Sequence, residues 1–439
     1  MTRASAQRRQ RRQQRRRGDA ESILAAQIDK VRKRKSGANL DKLARQMVKR
    51  AWSEALSRAH GRLGVSVGEL FNLEILPDGA ELAAIDCTKP PFTVRVSAGL
   101  PPFIYRISRL LAARSSPFPS DAVPRKDEDS WPPFEESVER LHRAFFWYSA
   151  TGYSTIHQDY QIDGYQAVIG GWLATEAEIF LMCHEIAHGL IARLPAEAPD
   201  LLASLEAGLE DMSEPWREEF VADRLALFLA IGQVNGSRDG HRLAMAYAGW
   251  EFALLLHREW ERYEEFVRSE QYSFETHPPA RDRIENLRGT FQRCLRTEDA
   301  AHLLSAAESI STLFRGLVDT MFSPEFQSAL VERDKARARR LKELAIDCAK
   351  GRVPDYSRYV PEAIEILQQA ESWILFDMVL EITAPLRGEK PLDVTNFGVA
   401  KLVWRACEDL PDPLYLAVKK VTEMPDLVNR RARYAFLQW

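Results

Sequence analysis

Five consecutive residues, His184-Glu185-Ile186-Ala187-His188, combine two metal-binding side chains with a general base. On a helix of about 3.6 residues per turn, histidines four apart lie on one face, so both imidazoles can reach a single ion. Neutral imidazoles suit zinc(II) well. Glu185 follows the first histidine directly, where its carboxylate approaches a water on the metal instead of the metal itself. That is the general-base position of an H-E-x-x-H zinc peptidase. The competing explanation is a coincidental pattern on an exposed helix, expected in on the order of one chain in a hundred.

A catalytic zinc needs a third protein ligand and an open fourth position. A histidine six residues after His188 would supply one, but that position is Leu194. The stretch Glu219-Phe220-Val221-Ala222-Asp223 offers a carboxylate instead, on a second helix expected from Ser213 through Pro215 to about Ile231. Its spacing places Glu219 and Asp223 on one face. Glu219 would complete a His-His-Glu site, and Asp223 would accept a hydrogen bond from a ligand imidazole, fixing its tautomer and orientation. Glu218 and Glu214 are alternative ligands, and a solvated acidic face is their ordinary explanation. Only Glu219 is followed four residues later by an aspartate. Further along, His277-Pro278-Pro279 opens a helix that carries Arg281 and Arg283; alone, such a histidine reads as a surface or capping residue.

The ordered trio H-E-x-x-H, E-x-x-A-D and T-H-P-P-x-x-x-R-I resembles the zinc metallopeptidase family of the heat-shock protease HtpX and the CAAX prenyl endopeptidases. The resemblance covers roughly residues 165 to 288. It implies a zincin-like domain of the gluzincin type, with His184, His188 and Glu219 as zinc ligands, Glu185 as general base and Asp223 behind a ligand ring. It also implies that His277 lies near the active site and helps hold the substrate carbonyl or the transition state. In that family a strand ahead of the zinc helix receives the peptide, and here that strand would be YQAVIGGWLA, 165 to 174. Membrane members carry transmembrane helices that this chain lacks. A soluble alternative is the family of Lit-type phage-exclusion peptidases and related bacterial enzymes, which look similar in having H-E-x-x-H on a cytosolic scaffold.

Several elements must position these residues. Thr175-Glu176-Ala177-Glu178 matches a capping box, so the zinc helix is expected from about 176 to 194. Before it, NLEIL (72 to 76), ELAAID (81 to 86) and FTVRVS (92 to 97) read as short strands of an antiparallel sheet, with a turn at Pro77-Asp78-Gly79. Helices are expected at FIYRISRLLAAR and at 136 to 150, separated by a Pro- and Ser-rich surface loop at 114 to 134. Beyond Arg288 the pattern is almost wholly helical, without catalytic motifs or a fixed repeat.

Composition bounds the rest. The chain has 439 residues, 45% hydrophobic and 28% charged, enough for two or three domains. No stretch approaches the roughly 18 apolar residues of a membrane span. The five cysteines are scattered singly and no apolar signal region follows the basic start, so a reducing, cytoplasmic home fits. The net charge of −3 hides an asymmetry, because residues 1 to 50 hold 17 Lys/Arg against 4 Asp/Glu. The run RRQRRQQRRR at 8 to 17 reads as a disordered basic arm, either merely solvated or contacting an anionic partner such as nucleic acid or an acidic protein.

The expected fold is thus α+β and mainly helical, with a basic arm (1–18), N-terminal helices (19–64), a metallopeptidase domain with a small sheet (65–299) and a helical accessory domain (300–439). The expected activity is zinc-dependent endopeptidase cleavage of a protein or peptide substrate. The alternative is a non-catalytic interaction or regulatory protein with a structural zinc site, although such closed sites usually have four protein ligands and favour cysteine. Cys183 adjoins His184 but points about 100 degrees around the helix from it.

Overall fold

The computed structural model describes residues 38–63, 67–76, 82–115, 133–152, 162, 164–234, 240–268, 278–294, 297–349, 356–371 and 375. The basic arm, the turn at 77–79, most of the 114–134 loop, His277 and nearly all of the chain after 371 lie outside them. The fold is mainly helical, with one three-stranded sheet. Among the described residues, no helix is long and apolar enough to cross a membrane.

The chain enters through helix α1 (Ala38–Leu63), whose buried face is almost all small: Ala44, Val48, Ala51, Ala55 and Ala59 recur at helical spacing. Strands β1 (Phe71–Leu76), β2 (Ala83–Asp86) and β3 (Phe92–Ser97) follow. Their order is β1-β3-β2, with β1 parallel to β3 and β2 antiparallel to it. The sheet is therefore mixed, not antiparallel as the short consecutive strands suggested. The reason lies in β3, which buries Phe92, Val94 and Val96 and takes the centre, leaving β2 only half-buried at an edge. Two neighbours in sequence, β1 and β2, end up on opposite sides of it.

Helices α2 (Leu100–Arg114) and α3 (Phe134–Thr151) lead to the central element, α4 (Gly164–Ile191). This 28-residue helix absorbs YQAVIGGWLA, so no strand precedes the zinc-helix motif, and Thr175 with Glu178 lies inside the helix instead of capping it. The physical cause is burial on nearly every side. A helix surrounded by protein carries no polar stripe, and its apolar run reads like a core strand. Gly170, within the stretch expected as a strand, is a packing position: a Cβ there would stand 3.3 Å from the Ser108 carbonyl of α2. Glu176 is held inside by Arg58 of α1, whose two terminal nitrogens donate at 2.8 and 3.0 Å. Trp250 Nε1 also donates to Glu176, at 3.3 Å.

Short helices α5 (Leu194–Glu197) and α6 (Pro199–Glu206) turn the chain into α7 (Glu214–Val234), which lies against α4. α8 (Gly240–Arg268) packs along the other side of α4, and α9 (Ala280–Cys294) returns to α7. Pro278-Pro279 opens α9, as a proline before a first turn should, and the Pro279 carbonyl accepts from the N–H of Asp282 and of Arg283.

Helix α10 (Thr297–Met321), which spans the boundary expected at 300, packs along α8 and adds Ile310, Phe314 and Leu317 to the common core. Ser311 donates to the buried Glu251 of α8 at 2.6 Å, and Arg288 of α9 clasps the same carboxylate. α11 (Pro324–Ala349) and α12 (Tyr356–Gln368) complete the described chain. Glu371 ties them to α3, its carboxylate accepting from Arg143, Arg333 and Arg337.

Candidate metal centre

His184 and His188 lie one turn apart on α4, and Glu219 faces them from α7. Ligand atoms of the three fall within 4.8 Å of one another, a group that could hold a metal ion. The two ring Nε2 atoms are 3.1 Å apart. Glu219 Oε2 is 3.5 Å from His184 Nε2, and Oε1 is 3.4 Å from His188 Nε2. Zinc–ligand bonds of about 2.0–2.1 Å at tetrahedral angles separate two donors by about 3.3 Å. The donor set therefore fits a divalent metal ion such as zinc in element type, and its donors lie close enough to share one ion.

What stands behind each ring strengthens the fit. His184 Nδ1 lies 3.0 Å from Asp223 Oδ1, a close contact whose angle falls short of a straight ring N–H bond. His188 Nδ1 lies 3.2 Å from Glu218 Oε1. A carboxylate beside Nδ1 favours the proton there, which turns both Nε2 lone pairs toward each other and toward Glu219. Acceptors gathered in this way favour positive charge beside them.

The electrostatics agree. Burial alone would raise the Glu219 carboxyl, but the charge of Arg283 and the two imidazoles hold it far below the usual carboxylate range. Asp223, fully buried, is likewise lowered against burial by Arg283 and His184. Burial should depress the imidazoles, yet Asp223 and Glu219 raise His184, and Glu218 and Glu219 push His188 up to about 10. The cluster favours positive charge wherever it can take it.

Glu185 is buried beside the rings, and desolvation raises its carboxyl although both imidazoles oppose the shift. A base that is destabilised as an anion is better suited to taking a proton. Cys183 turns into the core, where burial pushes its thiol up to about 12. Glu214 is exposed at the start of α7 and stays outside the group. Glu218, an alternative ligand by sequence, meets the far nitrogen of His188 and stands outside the three-donor group.

Arg283 has a place here that its spacing alone did not reveal. Its guanidinium is buried and clasps Asp223 with two bonds of 2.7 and 2.8 Å. It also lies 3.3 Å from Glu219 Oε2 and 3.4 Å from His184 Nε2. The signal available in sequence was the position of an arginine four residues past two prolines, at the start of α9.

The sheet closes against the same helix. Gly189 is the residue after His188, and a Cβ there would meet the Phe71 and Phe92 rings at 2.5 and 2.8 Å. Just after β2, Cys87 is exposed at the surface, and its thiol is pushed up to about 11 by desolvation from the protein around it and then by the charges of Glu218 and Glu185. The edge strand β2 itself packs against α4.

Compared with known proteins, the chain matches no family model, no curated protein and no solved structure.

Proposed function

We propose that the protein is a zinc-dependent endopeptidase acting on a protein or peptide substrate. The observation that carries this reading is the three-donor group of His184, His188 and Glu219, with Glu185 next to the first donor on the same buried helix. Among the described residues no fourth protein donor joins the group, which suits an open catalytic position better than a closed structural one. The ordered motifs that resemble the HtpX and CAAX endopeptidases support the same reading.

When bound, zinc would lower the pKa of a coordinated water toward about 7 and polarise the scissile carbonyl. Glu185 would take the proton released on attack and hand it to the departing amine. Asp223 and Glu218 would hold the two rings in the tautomer that leaves Nε2 free. The strand suited to receive substrate is β2, paired only with β3 among the described residues and packed against α4, the helix that carries Glu185. An extended peptide added to its open edge would be held by main-chain hydrogen bonds, which accept many sequences. The cytoplasm is the proposed location, and the basic arm a proposed contact with an anionic partner.

Metal content tests the ligand assignment. After dialysis against metal-free buffer, the wild-type protein should retain about one zinc per chain, in keeping with a single such site. Glu219→Gln should lose it, and an equal zinc content in that variant would remove Glu219 from the ligand set.

A further inference from the structure

Arg283 is the cationic side chain that, among the described residues, bonds directly into the metal group. Two of its nitrogens clasp Asp223, and its terminal nitrogens also lie 3.3 Å from Glu219 Oε2 and 3.4 Å from His184 Nε2. The guanidinium is thus aimed at two of the three donors while remaining only 5% exposed. Glu219 and Asp223 carry two negative charges, and Arg283 answers one of them.

We propose that Arg283 is a built-in substitute for the metal's positive charge: it keeps Glu219, Asp223 and His184 assembled before metal arrives, and it weakens binding of the dication once metal is present. This rests on the zinc reading above. Two opposing effects follow from the geometry. As the anchor of Asp223, Arg283 indirectly supports His184, and losing an outer partner of a ligand ring typically weakens a metal site about 10- to 100-fold. As a cation bonded to two donor side chains, it must also sit within a few ångström of any ion they hold.

The second effect is the larger. Repulsion between a guanidinium and a dication at such separations, in a buried place that salt screens poorly, outweighs the loss of one outer partner. Removing the guanidinium would also leave the Asp223 carboxylate free to act on His184 alone, making that ring a stronger ligand. The charge that assembles the site thereby sets an upper limit on how tightly it binds zinc, keeping the metal exchangeable.

The test is competition for Zn2+ against a chelator of known affinity, using full-length wild type, Arg283→Gln and Arg283→Lys, with melting temperatures recorded with and without metal. Arg283→Gln should bind zinc about tenfold or more tighter than wild type, because the repulsion is gone. It should also melt lower without metal and gain more on loading. Failure of this variant to fold until zinc is added would support the same role. Arg283→Lys keeps the charge but not the two-pronged clasp, and should stay within about threefold of wild type. Weakening of about tenfold or more in both variants would overturn the proposal and reduce Arg283 to a support for Asp223. If Arg283→Gln folds under neither condition, the lysine variant decides alone by the same limits. A wild-type protein that binds no zinc would instead sink the metal reading itself, and this inference with it.

Discussion

The Nε2 atoms of His184 and His188 face each other at 3.1 Å, and each ring has a carboxylate behind its other nitrogen. Two lone pairs are not brought together in a buried place without something positive between or beside them. The two backing carboxylates differ, however. Asp223 is fully buried, whereas the Glu218 side chain is 54% exposed. Replacing Asp223 with Asn should therefore weaken zinc binding about 10- to 100-fold, and Glu218→Gln should change it by only a few-fold. Chelator competition on both variants checks the order, and a larger effect at Glu218 would contradict it.

Gly189 should be intolerant of a side chain. The Phe71 and Phe92 rings occupy the space of its missing Cβ, so Gly189→Ala must displace those rings or the strands that carry them. Overpacking of this kind typically costs about 1–3 kcal/mol. Since His188 is the preceding residue, the same shift should also loosen zinc. Denaturant unfolding together with zinc titration would detect both, and an unchanged midpoint would show that the rings move aside freely.

Glu178 predicts a pH dependence of stability away from the metal. Burial pushes its carboxyl up to about 8, against the modest pull of Arg50 from α1. The folded protein therefore keeps this group protonated through a range in which the unfolded chain releases the proton. Its stabilising contribution is complete below the unfolded pKa of about 4.5 and is lost as pH rises toward 8. Glu178→Gln removes the titrating group while keeping its shape. The variant should be more stable than wild type at pH 7 by on the order of 2–3 kcal/mol, with the gap closing near pH 4.5. Urea melts at the two pH values would show it, and a gap that widens toward acid would reverse the sign.

The residues of the centre were legible in the sequence because a helix enforces geometry over four positions. His184 with His188, and Glu219 with Asp223, each need only one turn of backbone to share a face, and the structure places the two pairs within reach of each other. What depends on packing between distant elements was not legible. The buried place of Arg283 requires α9 to lie against α7, and no local pattern announces that. Residues 165 to 174 misled for a related reason: a helix enclosed by α2, α8 and α1 loses the polar stripe by which helices are recognised. The mixed sheet was hidden too, since β2 and β3 follow β1 at short range while β1 and β3 run parallel. His277 falls outside the described residues, and its proposed role near the substrate rests on the motif alone.

In the proposed mechanism Glu185 separates an enzyme from a mere metal binder, because it would take part in proton transfer while standing outside the three-donor group. The most direct measurement is a comparison of new protein termini in cells producing wild type or Glu185→Gln, with zinc content determined for both purified proteins. Equal zinc, with a set of new termini found only with the wild type, is the predicted result and would identify the substrate at the same time. The same new termini at the same abundance in Glu185→Gln cells would contradict the assignment of Glu185 as the general base and, with it, the proposed peptidase mechanism.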